Sequence, residues 1–305
     1  MSTEAAPTKK LSPNSIVRAR RRAALRRFTS AFGRDRGGML GLVIIVVFFA
    51  LALLAPLLFD RSELDVTQAT ADPYLPPSRT YWLGTDDSGR NVLALVIWGA
   101  RISLLVGLSA TVLSMFIGTS IGIMSGHFRG VTGGAMDRVT EWFLVIPYLP
   151  LAIVLATVLG KSIWVIIVVI GVTSWPGTAR IIRAQTLSVG SRAYLERARV
   201  LGGSNWHQMG RHVLPNVMPL VLANTTLAVS ISILSETTLS FLGLGDPTAV
   251  SWGSILETAF DNGAISLGAW WYLAAPGLCV VLVVMSFNFM GRAIEGILDP
   301  REQGA

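Results

Sequence analysis

The sequence predicts an all-α membrane protein with six membrane-spanning helices. Composition is the first ground: 52% of the 305 residues are hydrophobic and only 14% are charged, where a soluble domain carries about a quarter charged residues. The second is six apolar runs, each near the roughly 20 residues needed to cross about 30 Å of hydrocarbon at about 1.5 Å per residue. The third is the sorting of charge: alternate connections are rich in Arg or in Asp and Glu, as in a chain threaded through a membrane.

The first element is a basic tail, residues 1–36, holding ten of the 25 Lys and Arg against Glu4 and Asp35. An apolar run follows it directly, so the tail reads as a topogenic anchor near anionic headgroups rather than as a nucleic-acid arm. Its 38-residue polar lead and the long run behind it do not fit a cleavable signal. The six spans fall at roughly 39–59, 101–125, 138–159, 162–183, 214–240 and 270–291. The first is nearly pure aliphatic and aromatic, with Pro56 near its outer end. Later spans carry Gly, Ser and Thr; Gly107, Ser114, Gly118 and Gly122 recur at three- or four-residue spacing and predict a face against another helix. Cys279, the single cysteine, lies in the last span as a small packing residue.

The connection 60–98 is Pro-rich and acidic, and reads as an external loop with Tyr81 and Trp82 as belt aromatics. Residues 245–268 carry Asp246, Glu257 and Asp261 and no Lys or Arg, and read as an external cap or a re-entrant hairpin. Residues 180–212 hold six Arg. The positive-inside rule then puts both termini and the 184–213 loop in the cytoplasm. The chain divides into the tail 1–36, a first span with its external loop (37–100), a core domain of five helices (101–295) and a C-terminal tail (296–305).

Little in the spans suggests catalysis. Gly160-Lys161-Ser162 looks like the end of a P-loop, but Leu155 stands where the first glycine belongs. Gly243-Leu244-Gly245 lacks the third glycine of a dinucleotide motif, and the three histidines have no metal spacing. No convergent polar constellation supports a membrane enzyme. Ionisable residues within spans are nearly confined to Glu236, and that scarcity disfavours an ion-coupled secondary transporter or a channel. Thr226, Ser230, Ile233, Thr237 and Ser240 share one stripe of the fifth span with Glu236 beside it, which predicts either a face lining a pathway or a helix-packing face.

The loop before that span is the most specific signal. Residues 192–201 have helical spacing, with Tyr194, Ala198 and Leu201 on one face and Arg192, Glu196 and Arg199 on the other. Gly202-Gly203 breaks the helix, and Ser204 can cap a second short helix through Trp206. Leu214-Pro215 turns the chain into the fifth span. This pattern resembles the EAA loop of importer-type ABC transporter permeases: Glu196, Ala198, Gly202, Leu214 and Pro215 match in register, with Arg197 at the second position and His212 in place of isoleucine. The segments Leu83–Arg90, Gly99–Leu104, Ser235–Gly245, Ser251–Gly253 and Leu298–Arg301 are similar to those of the dipeptide/oligopeptide/nickel permease C subunits.

That resemblance implies a type I ABC importer permease fold in the cell membrane. It implies a non-catalytic subunit working with a homologous B-type permease, two cytoplasmic ABC ATPase subunits and an extracytoplasmic substrate-binding protein. It further implies no cofactor on this chain, ATP and Mg2+ on the ATPases, no nucleic acid, and a peptide, or else nickel or another small solute, as cargo. The residues at the ATPase would be Tyr194, Glu196, Arg197, Ala198, Arg199, Leu201, Gly202, Gly203, Ser204 and Trp206, with Leu214 and Pro215 behind them.

Overall fold

The computed structural model describes residues 26, 28–128 and 130–298, with the side chains of Arg199 and Leu298 outside the description. Most of the basic tail and the closing 299–305 segment lie outside the described residues. Helices account for nearly all regular structure; among the described residues no strand forms, and Thr85 and Asn91 make one isolated bridge.

Five helices are long and apolar enough to cross a membrane, and a bent helix pair passes the same test when its two arms are taken as one span. Helix α1 (Arg36–Leu58) starts where the Asp35 carboxylate accepts from the Gly38 amide at 2.6 Å. It packs against the last helix through Gly38 and Gly41: a Cβ at either would come within 2.5 Å of Ala293 or of the Ser286 carbonyl. Its other side leaves Val43, Val46 and Leu57 exposed, as a lipid-facing helix does.

Helix α2 (Val92–His127, 36 residues) begins nine residues before the expected 101. The Asn91 side chain caps it, accepting from Leu93 N at 3.1 Å. Val92, Ala94, Leu95 and Val96 are buried in the fold rather than exposed in a loop. A length limit set by bilayer thickness therefore ends too early here: the first turns of α2 pack on protein, not lipid. At about 1.5 Å per residue α2 is about 54 Å long.

Helices α3 (Val131–Val145) and α4 (Tyr148–Leu159) correspond to the third span, bent by 90° between them. The cause is Pro147, which forces Ile146 into an extended conformation and lacks the amide that would continue the helix. Gly160, at φ +94°, and Ser162, whose hydroxyl accepts from Trp164 N at 3.2 Å, make a tight connection into helix α5 (Ile163–Gly190). Gly160-Lys161-Ser162 is thus a short interhelical turn.

The small residues of α2 do face other helices. Cβ atoms at Gly118, Gly122 and Gly126 would come within 2.8 Å of Thr178, the Ala179 carbonyl and Thr186 on α5. Backbones meet along a seam where no larger residue fits. Helix α6 (Ala193–Val200), helix α7 (Asn205–Gln208) and a π turn (Met209–Val213) lead into helix α8 (Leu214–Phe241). The chain does not turn at Leu214-Pro215 as expected. It runs on: Leu214 N bonds Met209 O, five residues back, and Pro215 has no amide to resume the ordinary ladder.

Helix α9 (Trp252–Asp261) decides the 245–268 question in favour of a cap: a single capped helix laid across the ends of α2, α8 and α10. A capping box of Ser251 and Ser254 starts it. Trp252 is fully buried, its indole N–H donating to Val96 O at 2.9 Å and its amide to Ser103 Oγ at 3.1 Å. Helix α10 (Trp270–Leu298) closes the bundle against α1 and α8. Pro56, Pro176, Pro219 and Pro276 lie inside α1, α5, α8 and α10; α2 alone among the five long helices has no proline.

Candidate functional site

The α6–α7 segment is built around one turn. Gly202 lies at φ +82°, and Gly203 N donates to Ala198 O at 2.9 Å. This is the left-handed glycine closure that ends a helix and satisfies its last carbonyls. Space at Gly202 is open, whereas a Cβ at Gly203 would lie 2.8 Å from Ala198 O. Gly202 is therefore required by backbone conformation and Gly203 by close approach. Ser204 then caps α7, its hydroxyl accepting from His207 N at 3.3 Å.

The segment is fastened to the body by a residue the sequence pattern passed over. Leu195 is fully buried in a cluster with Ile123 of α2, Ile182 and Val189 of α5, and Met209, Val213 and Val217. Burying a leucine contributes about 1.5–3 kcal/mol. Gln208 was also missed: its Nε2 donates to Gly203 O at 2.6 Å, bracing the glycine turn. An amide between His207 and Met209 carries no periodic signal. His127, at the end of α2, shares a 3.2 Å hydrogen bond with Asn205 of α7.

The expected apolar face needs correction. Ala198 is half-buried, but Leu201 is 86% exposed, as are Val200 at 85% and Trp206 at 69%. These side chains project beyond the helix end and touch little of this chain. Tyr194 is partly open and its ring lies 6.1 Å from that of His212. Glu196 and Arg197 are exposed beside them. Leu214 is half-buried in the Leu195 cluster and Pro215 is exposed. The result is an outward apolar patch with charges at its edge, the composition of a protein-docking surface.

The fifth-span stripe lies elsewhere. Thr226, Ser230, Ile233, Glu236, Thr237 and Ser240 are all buried within this chain, none more than 8% exposed. Gly291 of α10 abuts Thr226, and Ser230 Oγ donates to Val284 O at 3.2 Å while accepting from Asn288 Nδ2 at 3.2 Å. Ile233 fills the notch at Gly107 of α2, and Thr237 and Ser240 press on Gly253 of α9. Glu236 Oε1 accepts from Ser240 Oγ at 2.9 Å, while its Oε2 is buried with no hydrogen-bond partner among the described residues. In this conformation the stripe is a packing face, the second of the two readings its spacing allowed. Small hydroxyls bonded to their own helix carbonyls look polar in sequence yet serve close helix contact.

On the opposite side, Leu83–Arg90 forms a closed turn. Asp86 accepts from the Ser88 and Arg90 amides at 2.9 and 2.7 Å and pairs with Arg90 Nε at 2.6 Å. Burial pushes the Asp86 carboxyl above its ordinary value, and the Arg90 guanidinium and these amides pull against that rise. Trp271 Nε1 donates to Thr85 O at 3.3 Å and Tyr272 OH to Asp87 at 3.0 Å, tying the turn to α10. Among the described residues no group of three or more His, Cys, Asp or Glu is arranged to hold a metal ion.

Comparison with known proteins agrees with this arrangement. Residues 118–304 match the family described as binding-protein-dependent transport system inner membrane component. Residues 23–77 match the N-terminal transmembrane domain of oligopeptide transport permease C. The chain is 34% identical over 269 residues to the dipeptide transport system permease protein DppC of Bacillus subtilis (strain 168), covering 88% of this chain and 83% of that one. It is 35% identical over 273 residues to the oligopeptide transport system permease protein OppC of the same organism, covering 88% and 87%. It is 33% identical over 290 residues to the di/tripeptide transport system permease protein DppC of Pseudomonas aeruginosa (strain UCBPP-PA14), covering 92% and 93%. Such permeases are multi-pass membrane subunits that work with ATPase and substrate-binding partners. An all-helical bundle with five long apolar helices and a bent pair, an exposed glycine-closed loop and these matches lead to one conclusion: the chain belongs to the binding-protein-dependent transport system inner membrane component family and is a permease subunit of such an importer.

Proposed function

We propose that this chain is half of the translocation unit of a peptide importer, driven by ATP hydrolysed on other subunits. Both termini and the 184–213 loop lie in the cytoplasm, and the 60–91 and 243–269 connections lie outside. A homologous B-type permease completes the unit. Two cytoplasmic ATPases bind ATP and Mg2+, and this chain binds neither. An external binding protein delivers the peptide to the outer connections.

The observation that carries the reading is the patch formed by Val200, Leu201 and Trp206, with Tyr194 at its margin. Apolar side chains on a polar, Arg-rich loop outside the spans call for a protein groove. The patch is also mechanically connected: Leu195 joins it to α2 and α5, and the π turn joins it to α8. Closure of the ATPases around ATP moves the loop as a body, tilts the helices that carry it and opens the pathway between the two permeases outward; hydrolysis resets them. Peptide as cargo is supported by the names of the relatives.

The test is purification of the tagged chain from its own membranes, with mass spectrometry of what accompanies it. A second permease and P-loop ATPases are expected, and labelled dipeptide uptake should need ATP and an added binding protein. The chain alone should hydrolyse no ATP. Hydrolysis by the pure chain, or purification with no ATPase under conditions that preserve peptide uptake, refutes the assignment.

A further inference from the structure

A cavity of about 1350 Å3 lies away from the loop just described. It is an open cleft on the outer half of α2, flanked by α1 on one side and by the start of α5 and the 243–250 connection on the other. Its volume exceeds the roughly 300–1,000 Å3 of small-molecule pockets. Its lining combines cations with apolar side chains. Arg61 stands just beyond the outer end of α1, Arg101 at the start of the apolar part of α2, and Lys161 just before α5. Three separate elements thus each contribute a cation to the lining of one cleft.

The floor beneath is apolar. Leu105 and Leu108 follow Arg101 by one and two turns, about 6 and 10 Å deeper. Phe49 and Leu53 of α1 face them across the cleft. Leu53 is 74% and Leu105 52% exposed, so this chain leaves the floor uncovered at bilayer depth.

The carboxylates at the mouth are occupied. Asp65 accepts from Thr67 N and Oγ1, and Asp246 from Thr248 N and Oγ1 and from Ile163 N. Arg90 pairs with Asp86, and Lys161 has Glu257 nearby. Among the described residues no carboxylate lies within ion-pair distance of Arg61 or Arg101. The Arg101 guanidinium sits 5.0 Å over the Trp98 ring, held at the mouth by that face.

We propose that this cleft is a binding site for an anionic phospholipid of the outer leaflet, with its phosphate against Arg61 and Arg101 and its acyl chains along Leu53, Leu105 and Leu108. A lipid satisfies both halves at once: unpaired guanidinium groups take the headgroup, and chains cover leucines that no protein atom of this chain covers. The outer-leaflet assignment rests on the orientation given above.

The experiment uses the full permease–ATPase complex in nanodiscs of phosphatidylglycerol and phosphatidylcholine with identical acyl chains. Native mass spectrometry of the released complex should show retained phosphatidylglycerol in preference to phosphatidylcholine. Arg61→Gln with Arg101→Gln should cut that retention about 25-fold, at about fivefold per cation near a membrane surface, and Arg138→Gln on exposed α3 should not. A diazirine phosphatidylglycerol should cross-link within residues 49–53 and 101–108 of the unsubstituted complex, a readout independent of how the variant folds. Equal retention of both lipids, no effect of the double variant beyond that of Arg138→Gln, or cross-linking of Leu105→Cys to another protein subunit with no lipid label there each overturns the site. Addition of inorganic phosphate that displaces the lipid headgroup signal without lipid cross-links would mark a free-anion site and likewise overturn it. Reaction of Asp261→Cys, in a Cys279→Ser background, with a membrane-impermeant maleimide reads sidedness separately, so a wrong orientation is distinguished from an empty cleft.

Discussion

Replacement of Gly107 by Ala tests whether the fifth-span stripe is a packing face. The Ala Cβ would lie 2.4 Å from Ile233 Cγ1 and 3.4 Å from the Ile233 backbone. Ile233 is fully buried and β-branched, so it cannot swing aside without leaving its rotamer. Overpacking of this kind costs about 1–3 kcal/mol. Removing a glycine from a helix returns up to about 1 kcal/mol. The expected net loss is about 1–2 kcal/mol. Ile233→Ala alone leaves a cavity and costs about 2–5 kcal/mol. Combined, the new methyl occupies part of the space the isoleucine vacated, so the double variant should be more stable than the sum of the single effects by about 1–2 kcal/mol. The assay is reversible unfolding of the purified chain in mixed micelles for all four members of the cycle. If Gly107→Ala costs nothing and the effects simply add, α2 and α8 do not meet at this point, and the packing assignment fails.

Cysteines at Thr226, Ser230 and Thr237 in a Cys279→Ser background should resist a small water-soluble thiol reagent in the resting protein while an exposed Asp261→Cys reacts; labelling of all three would restore a pathway role for the stripe. Gly202→Ala should strain only the backbone, by about 1–2 kcal/mol in the left-handed region, and reduce uptake modestly. Gly202→Asp fits that conformation more easily but adds a charge to the patch, and should weaken ATPase binding several-fold; normal uptake and normal ATPase affinity in both variants would remove the coupling assignment. Leu195→Ala should cost about 2–5 kcal/mol and raise proteolysis within 191–203, with unchanged protection there counting against its anchoring role. Hydrogen bonds from the Ser62 and Thr67 amides hold the Asp60 and Asp65 carboxyls below their ordinary values. Their caps are therefore intact at neutral pH and are lost as pH falls below about 4; amide exchange at Ser62 and Thr67 should speed up there, and constant protection down to pH 2 would contradict it.

Much of the architecture could be read directly, because lipid imposes a simple rule on length and polarity. The five long apolar helices, the apolar run of the bent pair between them and the small-residue face of α2 were all legible in the sequence. The rule misleads where a helix leaves the lipid: Val92–Ala100 is apolar because it packs under α9, not because it crosses hydrocarbon. The 90° bend between α3 and α4 was available in Pro147 but is invisible to a hydropathy count. At the loop, Gly202 and Ser204 reveal the local turn because their chemistry is local. Leu195 and Gln208 are fixed by partners on α2, α5 and across the turn, and nothing in their immediate neighbours marks them. The α8 stripe shows the converse limit: hydroxyl side chains have the same spacing whether they face water or a neighbouring helix, and the glycines that receive them, Gly291 on α10 for Thr226 and Gly253 on α9 for Thr237 and Ser240, lie outside α8.

The absence of proline from α2 has a mechanical meaning. Every other long helix carries a residue at which it can bend, whereas α2 is an uninterrupted rod of about 54 Å. One end is pinned at His127 to Asn205, next to the glycine-closed loop, and the other is pinned at Val96 and Ser103 to Trp252 of α9. A rod of that length pivoting by about 10° about its middle carries each tip about 5 Å, in opposite directions. Displacement applied on one side of the membrane thus arrives on the other undiminished and without any relay of side chains, and a hinge introduced at its centre, such as Thr111→Pro, should let the two ends move independently.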